Sequence, residues 1–133
     1  MNKIAETLAG LGIFYVATAQ GSQPRVRPFG AVAEYNGKVY ICTNNTKDCY
    51  KQMIANPKTE ITGTFPDGSW IRLSGELVRD DDDAAREAML EANPSLKGMY
   101  RVGDGIFEVL YLKDPVCTKY SFTAPPEKIE GEA

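Results

Sequence analysis

The dipeptide Asn36-Gly37 is the strongest short turn signal in the chain, set between Ala33-Glu34-Tyr35 and Lys38-Val39-Tyr40-Ile41-Cys42. Asn-Gly supplies the positive φ angles that a two-residue hairpin loop needs, and the flanks are rich in β-branched and aromatic residues. A hairpin is antiparallel, and the same grammar recurs along the chain. Residues 12–19 read as a strand running into the turn Gln20-Gly21-Ser22-Gln23, with residues 24–35 leaving it as a second strand. Residues 59–65 and 69–79 flank Pro66-Asp67-Gly68, and residues 106–112 and 116–122 close the series. Helical spacing interrupts it at residues 3–10, where Gly10 can cap the end, and at residues 47–55, which close at Asn56-Pro57. The acidic run 80–83 suits a helix start and leads into Ala84, Ala85, Ala88, Met89 and Leu90, ending at Asn93-Pro94. The expected fold is therefore mainly β with short helices, an antiparallel barrel of about six to seven strands, closed or partly closed.

At 133 residues the chain suits one domain able to bury a core without staples. A single domain is expected over residues 1–123, with residues 124–133 a Pro- and Glu-rich polar tail. No apolar run approaches the roughly 18 to 20 residues of a membrane span, and the first ten residues lack the pattern of a signal peptide. A cytoplasmic protein is expected. The three cysteines, Cys42, Cys49 and Cys117, show no CxxC spacing and read as reduced core residues rather than a disulfide framework or zinc site. There is no histidine, which removes Ser-His and Cys-His nucleophile pairs, the zincin motif and the usual base near neutral pH. If the protein is an enzyme, a cofactor is expected to supply the chemistry. The net charge of −3 argues against a duplex-binding surface, so no nucleic-acid partner is expected.

Positive charge is local. In Pro24-Arg25-Val26-Arg27-Pro28-Phe29, strand alternation puts Arg25 and Arg27 on one face, where they either meet water or hold an anion. In Thr43-Asn44-Asn45-Thr46-Lys47, Asn45 or Thr46 reads as a helix N-cap, which places Lys47 in a first turn that disfavours a cation. A bound phosphate would reverse that penalty, accepting from the helix start and from Lys47 and Lys51, which lie four apart on one face.

The order of these pieces resembles the FMN-binding split barrels of the pyridoxamine 5′-phosphate oxidase-like superfamily. The resemblance runs from Gly12 to Phe122 and is carried by Gly21…Pro24…Arg27-Pro28-Phe29, by Tyr40-Ile41-Cys42-Thr43-Asn44, by the lysine-bearing helix closing at Asn56-Pro57, and by Trp70…Leu73-Ser74-Gly75. It implies a split β-barrel homodimer with FMN in a groove between subunits. Arg27 would meet the phosphate or flavin edge, with Pro28, Phe29 and Gly30 along the ring and Arg25 as a lesser candidate. Cys42, Thr43 and Asn44 would contact the flavin or its linker, while Lys47 and Lys51 neutralise the phosphate. Trp70 would pack on the ring or in the core, and Tyr120 and Phe122 in the core or over a partner's flavin. The B6 oxidases carry a basic residue where Val32 stands and a longer C-terminal segment, so oxidation of pyridoxamine phosphate is not expected.

The resemblance implies a flavin-dependent oxidoreductase acting on a small molecule. Alternatives are a flavin-binding protein without turnover, serving storage, sensing or stress protection; a barrel holding deazaflavin F420 or haem; and a relative that reduces nitro compounds. Tyr15, Tyr100 and Glu108 are acid–base candidates of equal standing.

Overall fold

The computed structural model describes residues 2–131; the last two residues of the expected tail lie outside them. Helix α1 (Lys3–Leu11) opens the chain, capped by Asn2, whose Oδ1 accepts from the backbone of Ile4 and Ala5. It ends at Gly12 rather than Gly10. The strands β1 (Phe14–Gln20), β2 (Gln23–Phe29), β3 (Ala33–Tyr35) and β4 (Lys38–Asn44) follow, then α2 (Asp48–Ala55), β5 (Lys58–Thr64) and β6 (Trp70–Arg79). Helix α3 (Asp83–Ala92), a 3-10 turn (Pro94–Gly98), β7 (Phe107–Tyr120) and β8 (Glu127–Ile129) complete it.

The eight strands of the described residues form one antiparallel sheet in the order β2-β1-β5-β6-β7-β4-β3, with β8 added on β7. The sheet coils without closing, since β2 and β3 end the strand path unpaired with each other and β8 pairs only with β7. Asn36 and Gly37 both take positive φ, 56° and 75°, the geometry of the hairpin turn expected of them.

Three differences from the sequence reading have physical causes. The run 24–35 is two strands, because residues 30–32 leave the β1 ladder before β3 joins β4. Residues 106–122 hold one long strand, because Lys113-Asp114-Pro115 forms a bulge instead of a turn. From Ser74↔Val116 to Glu76↔Lys113, two steps on β6 match three on β7, and Asp114 takes φ 51°. The extra residue switches the inward face from Leu110 and Leu112 to Cys117, so alternation breaks without the strand ending. Within the expected tail, residues 127–129 pair with Cys117, Thr118 and Lys119 as the eighth strand.

Two cores lie on opposite faces. Phe14, Val16, Ile41, Ile61, Ile71, Leu73 and Leu110 fill the barrel interior, which Ile4 and Leu8 of α1 and Met53 of α2 plug. Ala85, Met89 and Leu90 of α3 cover Ala33, Tyr40, Phe107 and Val109 on the other face. Strand β4 is buried on both sides, Val39 and Ile41 in one core and Tyr40 in the other.

A charged cluster anchors α3. Glu108, 5% exposed, accepts from Arg79 Nε at 3.0 Å, Asn45 Nδ2 at 3.0 Å and Arg86 Nη2 at 3.3 Å. Arg86 also donates to the Phe107 carbonyl and to Asp81 and Asp83. Burial pushes the Glu108 carboxyl upward, but the Asn45 amide and the two guanidinium groups together outweigh it and hold it below the usual range. The stabilisation is therefore fully present above the unfolded value of about 4.3 and is lost as pH falls below it. In urea denaturation, Glu108→Gln should cost roughly 3 kcal/mol at pH 7, and the gap should narrow below about pH 4 as the native carboxyl also protonates. An unchanged midpoint at pH 7 would mean that the cluster contributes nothing to stability.

Candidate functional site

Strand β2 pairs with β1 in a register that sets Arg27 opposite Val16 and Arg25 opposite Thr18. Facing pairs share a side of the sheet, so both arginines lie on the side of the barrel interior, at its open edge. Arg27 is half-buried and donates to the Val16 carbonyl at 3.1 Å, Thr18 Oγ1 at 2.8 Å and Gln52 Oε1 at 2.7 Å. Thr18 in turn donates to Gln52 Oε1 at 2.7 Å. All of these acceptors are neutral, and Arg27 forms no ion pair among the described residues.

Beside it is a cleft of about 260 Å³ that unites residues from four parts of the chain. Arg27, Pro28, Phe29, Gly30 and Ala31 form one wall, Cys42 and Thr43 the floor, Lys47 and Cys49 the start of α2, and Leu96, Met99 and Tyr100 the far side. Among the described residues, two cations and no carboxylate line it. The turn before α2 is built by Asn44, whose Oδ1 accepts from the Thr46 backbone at 3.0 Å and whose Nδ2 donates to the Tyr100 hydroxyl at 2.8 Å. The N-cap position is taken by Lys47 itself, without a side-chain cap, rather than by Asn45 or Thr46. Lys47 thus precedes the first helical turn, which Asp48 occupies.

Of the residues singled out from sequence, Arg27, Pro28, Phe29, Gly30, Cys42, Thr43 and Lys47 meet in this cleft, with Asn44 directly behind Tyr100. Arg25 is exposed and donates to Gln20 Oε1 at 3.1 Å. Lys51 lines a neighbouring pocket. Trp70 opens β6 outside the cleft, stacked on Tyr120 with centroids 5.9 Å apart and tilted against Phe122 at 5.1 Å. Of the acid–base candidates, Tyr100 lines the cleft, Tyr15 is exposed elsewhere and Glu108 is locked in its ion cluster. Sequence reasoning passed over Gln52, Leu96 and Met99. A glutamine beside Met53 on the buried helix face was a usable signal, whereas Leu96 and Met99 follow Asn93-Pro94 in a segment with no periodicity.

Comparison with known proteins places the architecture. No family model and no curated protein matches the chain. Among solved structures, a pyridoxamine 5′-phosphate oxidase-related, FMN-binding protein from Nostoc punctiforme aligns with a TM-score of 0.69 at 18% identity, over 93% of this chain and 82% of that one. A heme-binding protein from Mycobacterium smegmatis aligns at 0.76 and 18% identity, over 97% of this chain and 57% of that one. The fold is thus the split barrel of the pyridoxamine 5′-phosphate oxidase-like proteins. A NimC/NimA family protein from Clostridium acetobutylicum aligns at 0.90 with 56% identity, over 93% of this chain and 87% of that one. The chain belongs to the NimC/NimA family.

The cleft also sorts the cysteines. Burial pushes the Cys42 thiol up to about 12, with Lys47 offsetting only part of it, and pushes buried Cys117 up to about 11. Cys49 stands at the mouth of α2 with its sulfur 3.3 Å from Thr43 Oγ1. Iodoacetamide at pH 8 should therefore add one label per chain, mapped by peptide mass to Cys49, with the other two reacting only on unfolding. A label on Cys42 ahead of Cys49 would contradict the raised Cys42 thiol.

Proposed function

We propose that the protein binds FMN in the cleft between β2, β4 and α2 and acts as a flavin-dependent oxidoreductase on a small molecule. The observation that carries this is the pair Arg27 and Lys47 on one cleft with no carboxylate among its lining residues. Three hydrogen bonds to neutral acceptors occupy three of the five Arg27 N–H donors and leave its charge uncompensated, which favours an anion at the cleft. Arg27 and Lys47 would hold the phosphate, and Pro28, Phe29, Gly30 and Met99 offer the apolar surface that a flat ring requires. The FMN-binding protein with the same fold adds support. Once bound, the flavin supplies acceptance and delivery of hydride. Tyr100 is the ionisable hydroxyl at the cleft; it accepts from Asn44, so its own proton remains available for donation.

The active unit in this reading is a homodimer with the flavin between subunits. A cleft of about 260 Å³ falls below the roughly 300 to 1,000 Å³ of a site that encloses such a ligand, so a second copy would complete it. The outer sheet face carries exposed Tyr15, Val26 and Val116, and Phe122 is 91% exposed against Trp70. These are the apolar groups a partner would cover. The heme-binding neighbour favours haem as the second reading, though a chain without histidine lacks the commonest axial ligand.

The purified protein should show flavin absorption bands and release a species with the mass of FMN on denaturation. Arg27→Ala should weaken FMN binding about 10- to 100-fold, the loss of one charge-assisted contact, with the circular dichroism spectrum retained. Light scattering should return twice the chain mass. Oxidation of NADH or NADPH with a quinone or nitroaromatic acceptor reports turnover; flavin that no donor reduces would leave a binding protein without catalysis. A colourless protein that does not take up added FMN would overturn the proposal.

A further inference from the structure

We propose that the pocket of about 470 Å³ between the β1–β2 turn and α2 is a second ligand site, built for a small molecule carrying a carboxylate or phosphate oxyanion. It is separate from the cleft above, with which it shares no lining residue, and the proposal does not rest on FMN binding. The Arg27–Gln52 hydrogen bond is the partition between the two.

The pocket is a set of amide donors whose oxygens are already committed. Gln52 Oε1 accepts from Arg27 Nη2 and Thr18 Oγ1, both at 2.7 Å, and Gln20 Oε1 accepts from Arg25 Nε at 3.1 Å. Asn56 Oδ1 accepts from the Lys58 backbone N–H at 3.2 Å. Guanidinium and backbone N–H groups only donate, so in each amide the oxygen must face them and the alternative flip is excluded. What each amide can still offer is its NH₂. None of the three nitrogens has a hydrogen-bond partner among the described residues. Gln52 is 8% exposed and lines the pocket, so its unpaired donor lies at the pocket wall. Such a donor gains when an acceptor fills that space.

Lys51 adds a cation on the same wall, and it forms no ion pair among the described residues. Asp48, one turn earlier and exposed, also lines the pocket and would repel an oxyanion. The two charges therefore give the proposal opposite and separable signs. The arginine pair acquires a divided role: Arg27 faces the first cleft, while Arg25 and Arg27 together orient the two glutamines of the second.

The test uses ¹⁵N-labelled full-length protein, following the side-chain amide resonances of Gln20, Gln52 and Asn56. Sodium phosphate and sodium acetate are titrated against sodium chloride at matched ionic strength. Saturable shifts with phosphate or acetate, absent with chloride, are expected, and whichever anion binds tighter names the oxyanion. Lys51→Met should weaken the affinity at least 5-fold and Asp48→Asn should tighten it, the spectrum itself confirming that each variant is folded. Shifts that follow ionic strength whatever the anion, or that persist unchanged in Lys51→Met, would overturn the proposal. Repeating the titration with FMN at saturation should leave the anion affinity within about 3-fold. If FMN instead abolishes anion binding, the pocket belongs to the cofactor and the second site falls while FMN binding stands. If the protein binds no FMN, the anion titration still decides the pocket by itself.

Discussion

An arginine held by neutral oxygens organises this molecule's open edge. The Arg27 guanidinium takes the Val16 carbonyl, the Thr18 hydroxyl and the Gln52 amide, joining β2, β1 and α2 through one planar group. That tie reinforces strand β2, whose side chains are mostly exposed and whose ladder touches only β1. Directional hydrogen bonds replace the apolar burial that holds the interior strands. They also leave a positive charge without a counterion, so the interaction that fastens the edge strand is the one that makes the neighbouring cleft attract anions.

The rest of the architecture serves to bring a far wall to that edge. The Glu108–Arg79–Arg86 cluster fixes α3 on β7, and Asn93 at the end of α3 donates to the Val32 carbonyl at 3.0 Å, tying the helix end to the link between β2 and β3. The chain leaving α3 is thereby aimed at the cleft, where Asn44 holds the Tyr100 hydroxyl and Tyr100 stacks on Phe107 with centroids 5.0 Å apart. The bulge at Asp114 lets one strand contribute Leu110 and Cys117 to the same interior despite their opposite parity. Membership in the NimC/NimA family and the split-barrel fold fit this plan, in which one unclosed sheet leaves room for a site at its rim.

Much of the fold was legible because turn chemistry is local. Asn36-Gly37, Gly21 and Asp67-Gly68 mark hairpins with residues whose φ preferences need no partner, and the helix limits near Asn56-Pro57 and Asn93-Pro94 follow from the missing proline N–H. The errors came where a local signal had a non-local resolution. Lys113-Asp114-Pro115 has the composition of a turn, yet pairing with β6 on one side and with β4 and β8 on the other makes it a bulge. Glu127–Ile129 lacks a strand's composition, and it is a strand because β7 offers it an edge.

The site divides along the same line. By itself the sequence determined that Arg27 and Phe29 lie on a strand and that Thr43 and Lys47 flank a strand end and a helix start, since alternation and capping depend on residues one to four positions away. It also excluded histidine chemistry outright. Only the tertiary structure decided that Lys51 faces a different pocket from Lys47, that Trp70 lies outside the cleft, and that Gln52, Met99 and Tyr100 belong to its surroundings. Those outcomes depend on which way α2 is rolled and where α3 delivers the chain. Both are set by packing and by the ion cluster at Glu108, among residues far apart in sequence, and no short-range preference encodes them.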